Sequence, residues 1–273
     1  MASRLRHHLL QLGLCLSLLL GQPCQADPMT LLTLEEPPLS YHNSQGELDG
    51  ISVEVVRELQ QRLGNTDPIQ VYPWIRAYRI AQSRPDVVLF TATRSPEREP
   101  LFHWITLINR NAWVLYARRS DNLTISSLAD ARSVDSIGVL RGGAHQQLLS
   151  SLAFSNLIPM ESYTQLLQNL AKGRINLAFY SASGFLATAS TAGIDQQSIA
   201  PLFTLQTPES YIVLSKQGTD PATVQQWRDA AVAIKADGTF ERIARRWVDR
   251  LQQEKGFNAH YQEGALNLWK APD

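Results

Sequence analysis

Asp86-Val87-Val88-Leu89-Phe90-Thr91-Ala92-Thr93-Arg94-Ser95-Pro96-Glu97-Arg98 is an apolar run that gives way to two hydroxyls, a proline turn and an arginine. Asp86 to Phe90 reads as a buried strand, apolar on both faces, of the kind that helices cover in an α/β protein. In open α/β sheets, ligands bind outside the carboxyl ends of the strands. Thr91, Thr93 and Arg98 fall at such an end. A guanidinium there can hold a carboxylate through two parallel charge-assisted hydrogen bonds, which a lysine cannot do. Threonine hydroxyls and backbone N–H groups would complete the shell. The competing reading is a surface turn in which Arg98 pairs with Glu97 or Glu99, a solvated contact of little energetic weight.

On either side of this stretch, strand-like and helix-like segments alternate. Met29 to Leu34 is a short strand that runs into Glu35-Glu36-Pro37-Pro38. Ser52 opens a helix with Val55, Val56, Leu59 and Leu63 on one face and Gly64 at its stop. Ile69 to Tyr72 is a strand, Ile75 to Ser83 a helix and Trp113 to Ala117 a strand. A second set follows: strand Ser136 to Leu140, Gly142-Gly143 leading into a helix over His145 to Leu152, helix Thr164 to Ala171, and strand Ile175 to Tyr180. Tyr211 to Ser215 is strand-like, and Pro221 to Lys235 and Thr239 to Leu251 are helices. The alternation predicts an α/β fold.

The 273 residues begin with an export signature. Arg4 and Arg6 precede a leucine-rich core from Leu9 to Leu20, and Cys24-Gln25-Ala26 presents small residues where a signal peptidase cuts. The core is about a dozen residues, shorter than the ~20 that span a bilayer. Residues 1–26 are therefore expected to be a signal peptide, removed before Asp27 on the way to the periplasm. Both cysteines, Cys15 and Cys24, lie in it, so the exported chain has no disulfide or thiolate site. Without Arg4 and Arg6, the 25 basic residues become 23 against 25 acidic ones, a balance of −2. No basic block appears, which argues against nucleic acid and against a membrane surface as partner. No later stretch is apolar enough for stable membrane insertion, and a monomer is expected.

The chain resembles the bacterial extracellular solute-binding proteins of family 3, the periplasmic receptors of polar amino-acid ABC transporters. Five places carry the resemblance, in order: Pro37-Pro38-Leu39 with Gly46 and Gly50-Ile51; Thr91-x-Thr93 with Arg98; Ile137-Gly138-Val139 with Gly142; Leu170 to Ile175; and Ala236-Asp237-Gly238-Thr239-Phe240-Glu241-Arg242-Ile243 ending at Trp247. They span about residues 29 to 250. A Pro-Trp-x-Arg-Ala motif at Pro73 to Ala77, echoed by Phe102-His103-Trp104-Ile105, is similar to an uncharacterised branch of that family.

The resemblance implies a type II periplasmic binding protein fold: two lobes, a discontinuous first one (residues 27–113 and 212–251), a second over 114–211, and two hinge crossings at the strands Trp113 to Ala117 and Tyr211 to Ser215. Residues 252–273 form an extension. It also implies that Thr91, Thr93 and Arg98 bind the ligand carboxylate, and that Gly143 and Ala144 offer backbone N–H groups from a helix start. Trp74 is either an aromatic wall of the site or a core residue holding helix to sheet. Where amino-acid receptors carry an aspartate for the ligand α-ammonium, this chain has Ser181. A hydroxyl cannot neutralise an ammonium, so either Glu35, Glu36 or Glu209 supplies the anion or the ligand lacks the ammonium. Tyr41 and Tyr180 are further cleft candidates; Arg76 reads as surface, and His145 and Trp104 as structural or rim residues.

No cofactor or metal spacing and no nucleophile elbow appears. The expected partner is a small-molecule ligand, with an ABC permease or a membrane sensor receiving the closed form. The alternative is a periplasmic enzyme of the same fold, a dehydratase of cyclic dienol acids with Glu35 or Glu36 as its acid.

Overall fold

The computed structural model describes residues 28–206, 208–253 and 257–269. The expected signal peptide lies outside the described residues. The fold is α/β with two sheets, each the floor of one lobe.

The first sheet contains β1 (Thr30–Thr33), β4 (Ile69–Val71), β5 (Val87–Thr93), β6 (Phe102–Arg110), β12 (Glu209–Ser215), β13 (His260–Gln262) and β14 (Ala265–Asn267), in the order β13-β14-β6-β12-β5-β1-β4. β4, β1 and β5 run parallel, and β12 is antiparallel to both β5 and β6. Helices α1 (Ile51–Leu63), α2 (Trp74–Ser83), α6 (Pro221–Ala236) and α7 (Thr239–Gln252) cover it. The apolar spacing explains each docking face. Val55, Val56 and Leu59 of α1 are fully buried with Trp227, Ile234, Phe240 and Trp247 of α6 and α7. Gly64 ends α1 in the left-handed conformation that favours glycine. Trp74, Ala77, Tyr78 and Ala81, at helical spacing, form the buried face of α2. A two-stranded ribbon, β2 (Tyr41–His42) with β3 (Leu48–Asp49), leads into α1.

The second sheet has the order β11-β7-β10-β8-β9: β7 (Trp113–Arg118), β8 (Ile137–Leu140), β9 (Leu157–Met160), β10 (Leu177–Ser181) and β11 (Ile199–Gln206). β9, β8 and β10 are parallel, and β7 and β11 antiparallel to their neighbours. Helices α3 (Ala144–Ser151), α4 (Tyr163–Ala171) and α5 (Ala182–Thr191) accompany it. Ser162 caps α4 by accepting from the N–H of Gln165.

Sheet pairing puts both passages between the lobes earlier than the strands named from sequence. β7 pairs through Trp113 within the second sheet, and β12 pairs through Glu209 within the first. The described parts of the passages are the short links before them, at Asn111–Ala112 and at Pro208. They touch: the Asn111 N–H donates to the Pro208 carbonyl at 3.2 Å. The Asn111 side chain donates to Ser183 Oγ at 2.6 Å and accepts from the Ala112 N–H at 2.9 Å. A buried amide thus ties the first link to the start of α5.

The described part of the C-terminal extension returns to the first lobe. β14 runs parallel beside β6, the Leu268 N–H donates to the Arg110 carbonyl at 2.9 Å, and Leu266 and Leu268 are buried in the core under α7. A second apolar cluster crosses from lobe to lobe, joining Leu32, Leu89 and Trp74 to Tyr116, Leu140 and Tyr180.

Candidate functional site

Two pairs of parallel strands, one pair from each lobe, end at one cavity. β1 leads to Leu34 and Glu36, β5 to Thr91, Thr93 and Arg98, β8 to Leu140, Gly143, Ala144 and His145, and β10 to Ser181. Asn111, Trp113, Tyr163 and Ser210 complete the wall. The space open to the centre of a water-sized sphere is about 30 Å³, about two waters' worth.

The exit of β5 is irregular. Tyr211 faces Ala92 and Val213 faces Leu89, so β5 carries one residue more than β12 across this step, a bulge at Phe90–Thr91. Thr91 takes φ 63° there, a conformation that branched residues rarely adopt and that costs on the order of 1–3 kcal/mol. Its hydroxyl donates to the Phe90 carbonyl at 2.6 Å. The bulge turns Thr91 into the cavity, and the Ser95 turn then brings Arg98 back over the strand end, the Arg98 N–H donating to the Ser95 carbonyl at 3.0 Å.

Arg98 is 1 % exposed. Its side chain donates only to neutral acceptors: Nε to Gln147 Oε1 at 2.9 Å, Nη1 to the Thr93 carbonyl at 3.3 Å and Nη2 to the Gly142 carbonyl at 3.4 Å. Its guanidinium lies 4.9 Å from the ring centre of Trp74 and 5.1 Å from that of Tyr78. Of the two partners that the surface-turn reading offered, Glu99 is held by Arg94 at 2.7 Å, and Glu97 is exposed, attracting Arg98 through space without a salt bridge to it. Burial lowers the Arg98 guanidinium to about 10. It remains cationic at neutral pH, a buried charge without an acidic hydrogen-bond partner among the described residues. Such a charge is expensive unless an anion joins it.

Trp74 lines the cavity and also binds the lobes together. Its indole N–H donates to the Gly142 carbonyl at 2.8 Å, and its ring stacks on Tyr78 at 5.4 Å. Gly143 caps α3, and Ala144 and His145 sit in its first turn, ahead of the first intrahelical bond from Gln147 to Gly143. Their N–H groups belong to the set that a helix start leaves without helical partners. Ser181 is buried in the wall and caps α5, accepting from the Gly184 N–H at 3.3 Å.

Glu35 is elsewhere. It points to solvent, paired with His42 at 3.0 Å and accepting from the His42 backbone N–H at 2.8 Å. Its neighbour Glu36 faces the cavity instead, because the chain turns back at a Glu36–Ser40 bridge. Glu209 holds Arg110 and the Tyr211 hydroxyl, away from the wall. Tyr180 lies behind the wall, stacked on Tyr163 at 3.9 Å, and Tyr41 bonds Arg250 and Asp49. Arg76 is exposed over the Tyr72 ring.

His145, expected as a structural or rim residue, lines the cavity. It is buried between Trp113 and Phe179, with ring centres at 4.4 and 4.7 Å, and neither ring nitrogen has a hydrogen-bond partner in the described structure. Burial, then the charge of Arg98, lowers its imidazole to about 3, from about 6.5 in an unfolded chain. The folded state therefore disfavours the proton. The stabilisation is complete above pH 6.5 and is lost as the pH falls towards 3. Between pH 6.5 and 4.5 the loss is expected to reach about 2–3 kcal/mol. Denaturant unfolding at several pH values should show it in the wild type and not in His145→Gln; equal slopes in the two proteins would contradict it.

Among the described residues, no group of three or more histidine, cysteine, aspartate or glutamate side chains is placed to hold a metal, and no helix is long and apolar enough to cross a membrane.

The family model for bacterial extracellular solute-binding proteins, family 3, matches residues 30–250. The L-cystine-binding protein TcyA of Bacillus subtilis is 25% identical over 211 residues, covering 77% of this chain and 76% of that protein. A probable amino-acid ABC transporter-binding protein of Haemophilus influenzae is 24% identical, covering 77% and 80%. In solved structures the fold recurs in a histidine kinase sensor domain with similarity to periplasmic binding proteins, at TM-score 0.72 and 16% identity over 81% of this chain and 96% of that one. It also recurs in ArgBP from T. maritima, at TM-score 0.72 and 15% identity over 82% and 97%. With the match running from β1 to the end of α7, through both sheets and every strand end at the cavity, this chain belongs to the bacterial extracellular solute-binding proteins, family 3.

Proposed function

We propose that this chain captures a small carboxylate-bearing solute of the amino-acid class between its lobes and presents it to the permease of an ABC importer. One observation carries the reading: a buried arginine with no acidic partner among the described residues stands where four strand ends from two lobes converge. The names of the relatives, cystine- and amino-acid-binding proteins, agree with it.

Thr91, Thr93 and Arg98 hold the carboxylate from the first lobe, and the N–H groups at the start of α3 meet it from the second. Ser181 adds a neutral hydroxyl. The small cavity and the lobe-to-lobe bonds of Trp74 and Arg98 describe a closed pair, so an amino-acid-sized solute enters when the lobes part at the links that include Asn111–Ala112 and Pro208. Binding then shifts an open–closed equilibrium, and the closed face is what a membrane partner reads. The lobes correspond to residues 27–113 with 212–251 and 114–211, their edges moved to these links. The leucine-rich start, residues 1–26, directs the chain to the periplasm, where it works as a monomer. The family's members bind rather than transform, which supports a site without catalysis. A second destination, a membrane sensor, is favoured by the likeness to the kinase sensor domain.

The test is a thermal-shift screen of the purified protein against amino acids, keto acids, polyamines and aromatic acids. A carboxylate is expected to raise the melting temperature and to bind at about 1 μM, or −8 kcal/mol, and to be recovered unchanged. Stabilisation by polyamines alone would contradict the reading, and a converted ligand would favour the enzyme alternative.

A further inference from the structure

Two groups of opposite character line the cavity and leave each other alone. Arg98 follows β5, and Glu36 follows the adjacent parallel strand β1. They form no ion pair. The turn that carries Glu36 is fixed by its backbone, whose N–H donates to Ser40 at 2.7 Å and whose carbonyl accepts from Leu39 at 2.8 Å. Its carboxyl has no hydrogen bond or ion pair with a described residue, and Glu36 shares the cavity wall with Leu34, Leu39 and Tyr163.

A solute with a carboxylate alone would satisfy Arg98 and leave Glu36 either an uncharged acid that has found no cation or, once ionised, a second negative group in the cavity. A solute of both signs satisfies each group with its opposite, drawing Glu36 into its ionised form, and in a small cavity each uncompensated charge is costly. Ser181, the polar side chain that ends β10, is neutral and already caps a helix. We propose that Glu36 receives the cationic group of a zwitterionic ligand whose carboxylate lies on Arg98, and so sets the preference for amino acids over their deaminated counterparts. The proposal rests on the carboxylate reading of Arg98 given above.

Proton linkage follows. Burial pushes the Glu36 carboxyl up to about 8. Around it stand Tyr163 of α4 and Tyr180 of β10, both held well above the usual tyrosine range by burial, and across the cavity Arg98, at about 10, and His145, at about 3. None of these changes charge between pH 5 and 8. Free Glu36 is mostly protonated below pH 8, and an arriving ammonium draws it into the ionised form. Binding there releases a proton, so affinity rises with pH towards 8.

The test is calorimetric titration of wild type, Glu36→Gln, Glu36→Asp and Arg98→Met. The probes are the tightest binder among the twenty L-α-amino acids and L-cystine, and its 2-deamino counterpart. Glu36→Gln is expected to weaken the amino acid at least tenfold, to spare or improve the deamino acid, and to abolish the rise between pH 6 and 8; Glu36→Asp, which keeps the charge, retains the preference. Equal losses on both probes, no loss on either, or a wild type that binds the deamino acid as tightly would overturn the role of Glu36. If Arg98→Met spares both probes, the carboxylate reading itself fails, and a wild type that binds no probe overturns both.

Discussion

Arg98→Met is expected to weaken the best ligand by about 30- to 1,000-fold while leaving the ligand-free protein as stable as before, or more so. Truncating one member of a buried hydrogen-bonded charge pair costs about 2–4 kcal/mol in binding, and this pair is completed only when the ligand arrives. In the free protein the guanidinium has neutral acceptors only. Replacing an uncompensated buried charge by an apolar side chain of similar volume is neutral or stabilising. A residue kept for packing would behave in the opposite way, lowering the melting temperature and sparing affinity. Isothermal titration with a parallel melting curve separates the two outcomes.

Gly142→Ala is expected to weaken the same ligand by about tenfold or more, through closure rather than contact. Gly142 has φ 66°, and a Cβ there would strike the side chain of Ile75, on α2 of the other lobe. The left-handed conformation costs alanine on the order of 1–2 kcal/mol however the lobes sit, but the collision exists only when they meet. Small-angle scattering with saturating ligand should show a larger radius of gyration than the wild type. The Ile75→Ala background should relieve most of the defect, since it removes the side chain that the added methyl group would strike. An equal loss of affinity in both backgrounds would place the effect in the backbone of residue 142 and not in closure.

The parts of the molecule legible in sequence are those whose signal is local. The run from Val87 to Phe90 has no polar residue and becomes a strand covered on both faces. The stripe of α1, with Gly64 behind it, fixes both the helix and its end. Helix α5 escapes because Ala182–Thr191 is small, hydroxylated and apolar on several sides, with Phe185, Ala187 and Ala189 all buried; a helix enclosed on most of its circumference carries no stripe. Strand β6 shows only as an aromatic motif at its start, since its burial alternates imperfectly between β12 and β14.

At the site, the same limit separates Arg98 from Glu36 and His145. Arg98 sits in a local pattern of hydroxyls and a turn, so its role is readable. Two adjacent glutamates cannot be told apart by type. A bridge between Glu36 and Ser40 decides which one faces inward, and Glu35 goes to His42. His145 owes its burial to Trp113 and Phe179, one on each of two strands far away in the chain. Nothing within a few residues of position 145 announces that.

The most direct measurement is a crystal structure of the protein with its tightest-binding amino acid. The expected result has the carboxylate about 2.8 Å from Arg98 nitrogens, with Thr91 and Thr93 beside it and the start of α3 closing from the other lobe. A solute lodged elsewhere, with Arg98 still turned to Gln147 and Gly142 alone, would contradict the account.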